Sequence, residues 1–190
     1  MIFEKPVRIP LARIGALIGK SGKTKYTIES MCSVKLNIDS KTGEILITSN
    51  TSTDPLLPFK AVNIVNAIGR GFSPSKALEL LKDDYQLHIL DLRDFSSKSP
   101  SQIERIKSRL IGTNGKARRN LETLTGSHIS VYGKTVSVIS TTKKISLIVD
   151  AITSLCSGSV HRSVYRKLES VRHIEKQEKM ILWEGQNIGQ

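Results

Sequence analysis

A short loop framed by two glycines occurs twice in this chain, as Ile18-Gly19-Lys20-Ser21-Gly22-Lys23 and as Ile111-Gly112-Thr113-Asn114-Gly115-Lys116. The residues that follow match at a constant offset of 93: Gly22 maps to Gly115, Lys23 to Lys116, Ile28 to Leu121, Glu29 to Glu122, Met31 to Leu124, Leu36 to Ile129 and Ile38 to Val131. No gap is needed. A repeat of this kind demands two similar supersecondary units, and 190 residues can supply two small cores. Upstream of the loops the register fails, because the apolar run ending at Ile9 stands much nearer its loop than the run ending at Leu90.

Periodicity places each loop between helices. Val7 and Ile9 alternate with charged neighbours as a short strand, and Leu11 to Ile18 reads as one or two helical turns with Leu11, Ile14, Leu17 and Ile18 on one side. After the loop Thr24, Ile28 and Met31 mark one face of a second helix. Leu36 and Ile38 then alternate as a strand, Ser40 to Gly43 turns the chain, Ile45 and Ile47 form the hairpin partner, and Pro55 to Ile68 closes the unit as a helix. Gly69-Arg70-Gly71-Phe72 ends that helix. Ser73-Pro74 starts a further one, carried by Ala77, Leu78 and Leu81, so the connection is read as structured.

The second copy repeats the order. Leu87, Ile89 and Leu90 form a strand, a Ser-rich stretch runs from Ser96 to Ser101, Ser99-Pro100 begins a helix, and Ile103, Ile106 and Leu110 lead to the loop. Ala117, Leu121 and Leu124 line the next helix up to Gly126. Strands at 129–132 and 135–139 and a helix at 142–156 follow. Val160, Val164, Leu168, Val171 and Ile174 then predict a C-terminal helix. The expected architecture is α+β: two domains, each a three-stranded antiparallel sheet with helices on one face, plus that C-terminal helix. The boundaries are 1–71 for the first domain, 72–85 for a helical connector, 86–156 for the second domain and 157–190 for a helical extension.

Charge points to a polyanionic partner. Lys and Arg number 29 against 17 Asp and Glu, a formal net charge of +12, with a pI near 9.9. Within residues 101–140 the balance is +5, whereas 72–100 stand at −1, so the excess gathers around the second loop. A glycine loop opening a helix lets main-chain N–H groups and the helix's positive end approach a phosphate with no Cβ in the way. The residues expected to bind RNA are Gly19, Lys20, Ser21, Gly22, Lys23 and Lys25 in the first copy. In the second they are Gly112, Thr113, Asn114, Gly115, Lys116, Arg118 and Arg119. Beside the loops, Ile14, Ile18, Ile28 and Leu36, or Ile106, Leu110, Ile111, Leu121 and Ile129, are read as apolar grooves for unpaired bases.

Other chemistries find little support. Gly19-Lys20-Ser21-Gly22-Lys23-Thr24 falls short of a nucleotide-binding P-loop, which would need glycine where Leu17 stands and a buried strand upstream. Asp83-Asp84 and Asp91-Leu92-Arg93-Asp94 show no repeated carboxylate spacing, so no catalytic residue is assigned and no enzyme activity is expected. Cys32 and Cys156 are far apart and outside any C-x-x-C, and the histidines at 88, 128, 161 and 173 lack ligand spacing, so neither metal nor cofactor is expected. Without a leader or a long apolar run, the reading is a soluble cytoplasmic protein with no membrane partner.

The loop between two helices in a strand, helix, loop, helix, strand, strand, helix order resembles the eukaryotic-type (type I) KH fold. Longer stretches resemble the archaeal relatives of the partner-of-Nob-one and Krr-one proteins, two-KH factors of small ribosomal subunit assembly. They are Gly19 to Lys25, Gly69 to Pro74, Leu124 to Gly133, and His161 with Val164-Tyr165-Arg166. The resemblance covers nearly the whole chain. It implies binding of single-stranded RNA near the 3′ end of small-subunit ribosomal RNA during maturation, alongside a separate maturation endonuclease, and contact with a translation initiation factor. Two alternatives stand beside it: a protein-interaction scaffold in an assembly complex, and a KH protein of RNA decay. Lys25 departs from the general KH pattern, where an apolar residue follows the loop, and Thr113-Asn114 lacks the basic residue common at the loop centre.

Overall fold

The computed structural model describes residues 3–49, 54–95 and 99–187. Ser96 to Lys98, within the Ser-rich stretch, and Ile188 to Gln190 of the extension lie outside the described residues. By contact the chain divides into two units, residues 1–91 with 128–142, and residues 92–127 with 143–190.

The first unit begins with β1 (Phe3–Arg8), α1 (Leu11–Ile18), α2 (Lys23–Cys32), β2 (Lys35–Ile38), β3 (Glu44–Ser49) and α3 (Leu57–Gly69). The strands form an antiparallel sheet in the order β1-β3-β2, with Val7 opposite Ile45 and Leu36 opposite Ile47. Pro6 can sit inside β1 because that strand is an edge, where a missing N–H breaks no ladder. Helix α1 buries Ile14 and Leu17 and stops at Gly19. The core joins Ile14, Leu17, Ile28, Leu36, Ile45 and Ile47 to Ile64, Val65 and Ile68 of α3.

One face assignment needs correcting. On α2 the buried pair is Ile28 and Cys32, spaced i, i+4, while Met31 is 54% exposed. The second copy repeats this: Leu121 and Thr125 are buried and Leu124 is only half-buried, and the 93 offset carries Cys32 to Thr125. Helix packing selected the stripe one residue beyond the one that the apolar character of Met31 and Leu124 suggested.

Arg13 ties α1 to the end of α3, its guanidinium donating to Ile68 O at 2.8 Å and Phe72 O at 2.6 Å. Ile68 lies in the last turn of α3 and Phe72 three residues past its end, where a cation complements the negative end of the helix dipole. The connector follows as α4 (Pro74–Ala77) and a 3-10 turn over Leu78–Leu81. Ser73 precedes Pro74 but its hydroxyl pairs with Ser75 instead of capping the helix.

A second antiparallel sheet belongs to the same unit: β4 (Tyr85–Asp91), β5 (His128–Tyr132) and β6 (Thr135–Thr141), in the order β4-β6-β5. The topology matches the first sheet, with the last strand in the middle. Ile139 enters the first unit's core, with Tyr85 and Leu87 packed against it. Ser130 Oγ donates to Arg70 O at 2.8 Å, and the His128 ring lies 2.8 Å from Glu79 Oε1. A Cβ on Gly71 would meet Ser130 Oγ at 2.7 Å, so this crossing requires glycine. Contact therefore groups the second copy's strands with the first unit, a grouping that the linear repeat does not reveal.

The second unit holds a 3-10 turn at Leu92–Phe95, α5 (Pro100–Ile111), α6 (Lys116–Thr125), α7 (Thr142–Cys156) and α8 (His161–Asn187), with Thr142 counted in the first unit. Ile103, Ile106 and Leu110 are buried on α5, Ile148, Ile152 and Leu155 on α7, and Val164 and Leu168 on α8. Val160 and Ile174, assigned to the same apolar stripe, are 70% and 52% exposed. Arg109 repeats the device of Arg13: it donates to Leu155 O at 3.3 Å and to Ser159 O, carbonyls four residues apart at the end of α7. The arginine is displaced from its repeat position by three residues, about one helical turn.

Candidate nucleic-acid interface

Both loops have the same backbone. In the first, Gly19 has φ 73° and ψ 176°, Ser21 φ 52° and ψ 32°, and Gly22 φ 75° and ψ 5°. In the second, Gly112 has φ 69° and ψ 176°, Asn114 φ 51° and ψ 29°, and Gly115 φ 74° and ψ 16°. Three of the four loop positions thus repeat a positive φ that L side chains rarely adopt.

The two glycines of each loop serve different needs. A Cβ on Gly19 would stand 2.9 Å from Thr24 N, and one on Gly112 2.9 Å from Ala117 N, so the first glycine lets the loop close against the following helix. A Cβ on Gly22 would meet nothing within 4 Å, and on Gly115 only the Arg119 guanidinium tip at 3.7 Å. The second glycine faces open space. Helices α2 and α6 start there with their first N–H groups, Lys23 and Lys116, donating back to Lys20 O and Thr113 O. No side chain caps either start and no acidic residue stands in the first turn, so the positive end of each helix dipole is not offset by a carboxylate.

The expected binding residues fall into two patches, one in each unit. Lys20, Ser21 and Lys23 are exposed around the first loop, as are Thr113, Asn114, Lys116 and Arg119 around the second. Lys25 and Arg118 differ. They occupy equivalent positions, both are half-buried, and both turn along their helices toward equivalent glutamates: Lys25 Nζ lies 3.9 Å from Glu29 Oε1, and Arg118 Nε 3.8 Å from Glu122 Oε2. Glu29 also accepts the Leu36 N–H at 2.8 Å, which fixes the entry into β2. These i, i+4 pairs engage part of each cation's charge within the helix.

The expected apolar grooves are corrected by burial. Ile28 and Leu36 are 0% and 1% exposed, Leu110 and Leu121 2% and 1%, and Ile14, Ile106 and Ile129 are likewise interior. They are core residues that no base can reach; Ile18 and Ile111, beside the loops, remain half-buried. Their alternation reported inward packing, and the helix and strand periods cannot separate a core stripe from a groove.

Around the second loop the fold adds what local patterns could not indicate. Gly112, Thr113, Lys116, Ala117 and Asn120 line an open depression of about 340 Å³ together with His161 and Tyr165 of α8. The sequence signal was limited to the presence of His161 and Val164-Tyr165-Arg166 in a family-like tail. On α2, Tyr26 is 73% exposed, another aromatic that sequence reasoning passed over.

The remaining polar clusters have local explanations. Asp83 pairs with Lys60, whose ammonium holds its carboxyl below the usual carboxylate range. Asp39 is held low by the Lys41 N–H and the Thr42 hydroxyl in the β2–β3 turn. Cys32 and Cys156 are free, buried thiols pushed up to about 11 by burial. Among the described residues no group of three or more His, Cys, Asp or Glu is placed to hold a metal ion, and no helix is long and apolar enough to cross a membrane.

The eukaryotic type KH domain (KH domain type I) family model matches residues 86–173. A KH domain-containing protein of Methanocaldococcus jannaschii is 41% identical over 177 residues, covering 93% of this chain and 78% of that one. The pre-rRNA-processing protein PNO1 of Chaetomium thermophilum is 27% identical over 175 residues, covering 90% of this chain and 66% of that one. Among solved structures, the complex of a/eIF2alpha, aDim2p and rRNA from Pyrococcus horikoshii OT3 contains a chain 44% identical, matched over 90% of this chain and 95% of that one with a TM-score of 0.84. With its glycine loops, its sheet topology and these relatives in accord, the chain belongs to the KH-domain protein family that includes archaeal Dim2p and eukaryotic PNO1.

Proposed function

We propose that this protein binds single-stranded RNA through two KH domains, residues 1–71 and 86–156, joined by the connector 72–85 and extended by 157–190, and that it acts without catalysis in ribosome biogenesis. The RNA is small-subunit ribosomal RNA near its 3′ end, and the setting is the cytoplasm. The observation that carries the reading is the identical positive-φ loop in both copies, with its second glycine open to solvent and a capless helix start behind it. Lys20, Lys23, Lys116 and Arg119 neutralise phosphates, and the positive ends of α2 and α6 behind the loops fix the strand's path. Lys25 and Arg118 contribute at shorter reach because Glu29 and Glu122 compete for them.

The PNO1 and Dim2p relatives support the ribosomal setting, and the rRNA and initiation factor in the Pyrococcus complex support those two partners here. A maturation endonuclease working on the same RNA end completes the proposed assembly. The test is a filter-binding titration with a single-stranded RNA matching the small-subunit 3′ end. Lys20→Asp with Ser21→Asp, and Thr113→Asp with Asn114→Asp, replace exposed residues and so should leave folding intact while weakening binding. Unchanged affinity in both double variants refutes the loop assignment. A nearly salt-independent affinity would favour the protein scaffold instead.

A further inference from the structure

The second loop has a companion surface that the first loop's own sequence does not supply. Helix α8 brings His161 and Tyr165, one turn apart, to the depression bounded by Gly112, Thr113, Lys116, Ala117 and Asn120. Their ring centroids are 5.7 Å apart with planes inclined by 50°, and His161 Nδ1 lies 3.2 Å from the Tyr165 hydroxyl. That hydroxyl also reaches toward Ala117 O at 3.5 Å and interacts with the Asn120 side chain, so the tip of the tyrosine is turned toward α6. All the lining residues except Ala117 keep some exposure, and Thr113 and Lys116 are fully at the surface.

The volume, about 340 Å³, falls within the range of small-ligand sites, and the lining combines an aromatic face, an amide and a basic rim directly beside an anion-binding loop. Burial and the nearby Arg109 hold the His161 imidazole below its usual range, which leaves it neutral at pH 7 and able to donate or accept a hydrogen bond. The repeat-equivalent positions on α2 are Thr24 and Thr27, and the Thr27 hydroxyl is turned back onto Lys23 O at 2.9 Å. We propose that the depression is a base subsite: an unpaired base adjacent to the phosphate held at Gly112–Gly115 stacks on Tyr165, with Asn120 and His161 at its edge. This rests on the RNA-binding reading above and assigns base contacts in the second copy to a helix outside the repeat. Stacking suits such a site because every base offers a π face.

Fluorescence anisotropy with a labelled single-stranded RNA tests it, using the full chain and its Tyr165→Leu, Tyr165→Phe and His161→Ala variants, with Thr113→Asp/Asn114→Asp as reference. Losing the ring should weaken binding roughly 5- to 150-fold, whereas Tyr165→Phe, which keeps the ring, stays near the parent. The salt slope should not change, since no phosphate contact is lost. An abasic nucleotide walked along the RNA should weaken parent binding at one position and have no further effect there in Tyr165→Leu, a coupling that a purely structural tyrosine cannot produce. Parent-like binding by Tyr165→Leu, or equal abasic losses in both proteins at every position, overturns the subsite and leaves the loop reading standing. Parent-like binding by the loop variant overturns that reading itself. If circular dichroism finds Tyr165→Leu unfolded, the decision passes to His161→Ala. An abasic profile in the parent that His161→Ala flattens at one position supports the subsite, and one that it leaves unaltered overturns it.

Discussion

Substituting alanine for each glycine of the second loop separates packing from exposure. Gly112, at φ 69° and ψ 176°, occupies a region essentially limited to glycine, which costs a side chain roughly 1–3 kcal/mol. Its added methyl would also stand 2.7 Å from Ala117 Cβ and 2.9 Å from Ala117 N, where relief requires moving helix α6 itself, adding roughly 1–3 kcal/mol of overpacking. Gly115, at φ 74° and ψ 16°, carries the left-handed cost alone, about 1–2 kcal/mol, because its methyl would enter open space. Gly112→Ala should therefore lose about 2 kcal/mol more stability than Gly115→Ala. That difference corresponds to roughly 4–8 °C in Tm for a chain of this size. Guanidinium unfolding followed by circular dichroism, with the RNA titration run in parallel, measures both sides. Gly115→Ala should lose RNA affinity with only that smaller stability loss, since its methyl would stand at the proposed phosphate approach. Equal stability losses for the two variants, or a greater loss for Gly115→Ala, would refute the division of labour. Gly19 and Gly22 should reproduce the pattern.

Four further outcomes are expected. With Lys20, Lys23, Lys116 and Arg119 each neutralising one phosphate, the logarithm of RNA affinity should fall against the logarithm of salt with a slope of about −3, and replacing any one by alanine should reduce the slope by about 0.7; a flat titration would remove these residues from the contact set. Arg13→Lys and Arg109→Lys should each cost about 2 kcal/mol in denaturant unfolding, because an ammonium cannot span two carbonyls four residues apart as the guanidinium fork does; parent-like stability would count against the clamp. Cys32 and Cys156 should resist a thiol reagent in the native protein and react at once after unfolding. Since burial raises both from 9.0 to about 11, their contribution to stability is complete below pH 9 and lost as pH climbs toward 11, so a Cys32→Ala/Cys156→Ala variant should lose less stability than the parent across that interval.

Much of the fold was legible because its signals are local. The helix at Leu11–Ile18, the hairpin of Leu36 and Ile38 with Ile45 and Ile47, and the helix at 142–156 follow from periodicities of 3.6 and 2 bounded by proline, glycine and serine. Where the reading slipped, the competing choices had the same local appearance. Met31 and Leu124 satisfy a helical stripe as well as Cys32 and Thr125 do, and only packing decides between them. Ile28, Leu36, Leu121 and Ile129 fit the pattern of a groove and of a core, and their near-complete burial identifies the core.

The repeat by itself determined that two equal bends exist, that each needs glycine at both ends, and that basic residues surround them. These are consequences of backbone sterics and of charge, and both can be read from residues adjacent in the chain. Winding of the helices alone turned Lys25 and Arg118 onto Glu29 and Glu122 four residues on, whereas tertiary structure decided which stripe of α2 and α6 is buried. It also decided that Tyr165, 50 residues beyond Gly115, stands beside the second bend. Distances between residues remote in sequence depend on how whole helices pack, a collective outcome that no local pattern encodes.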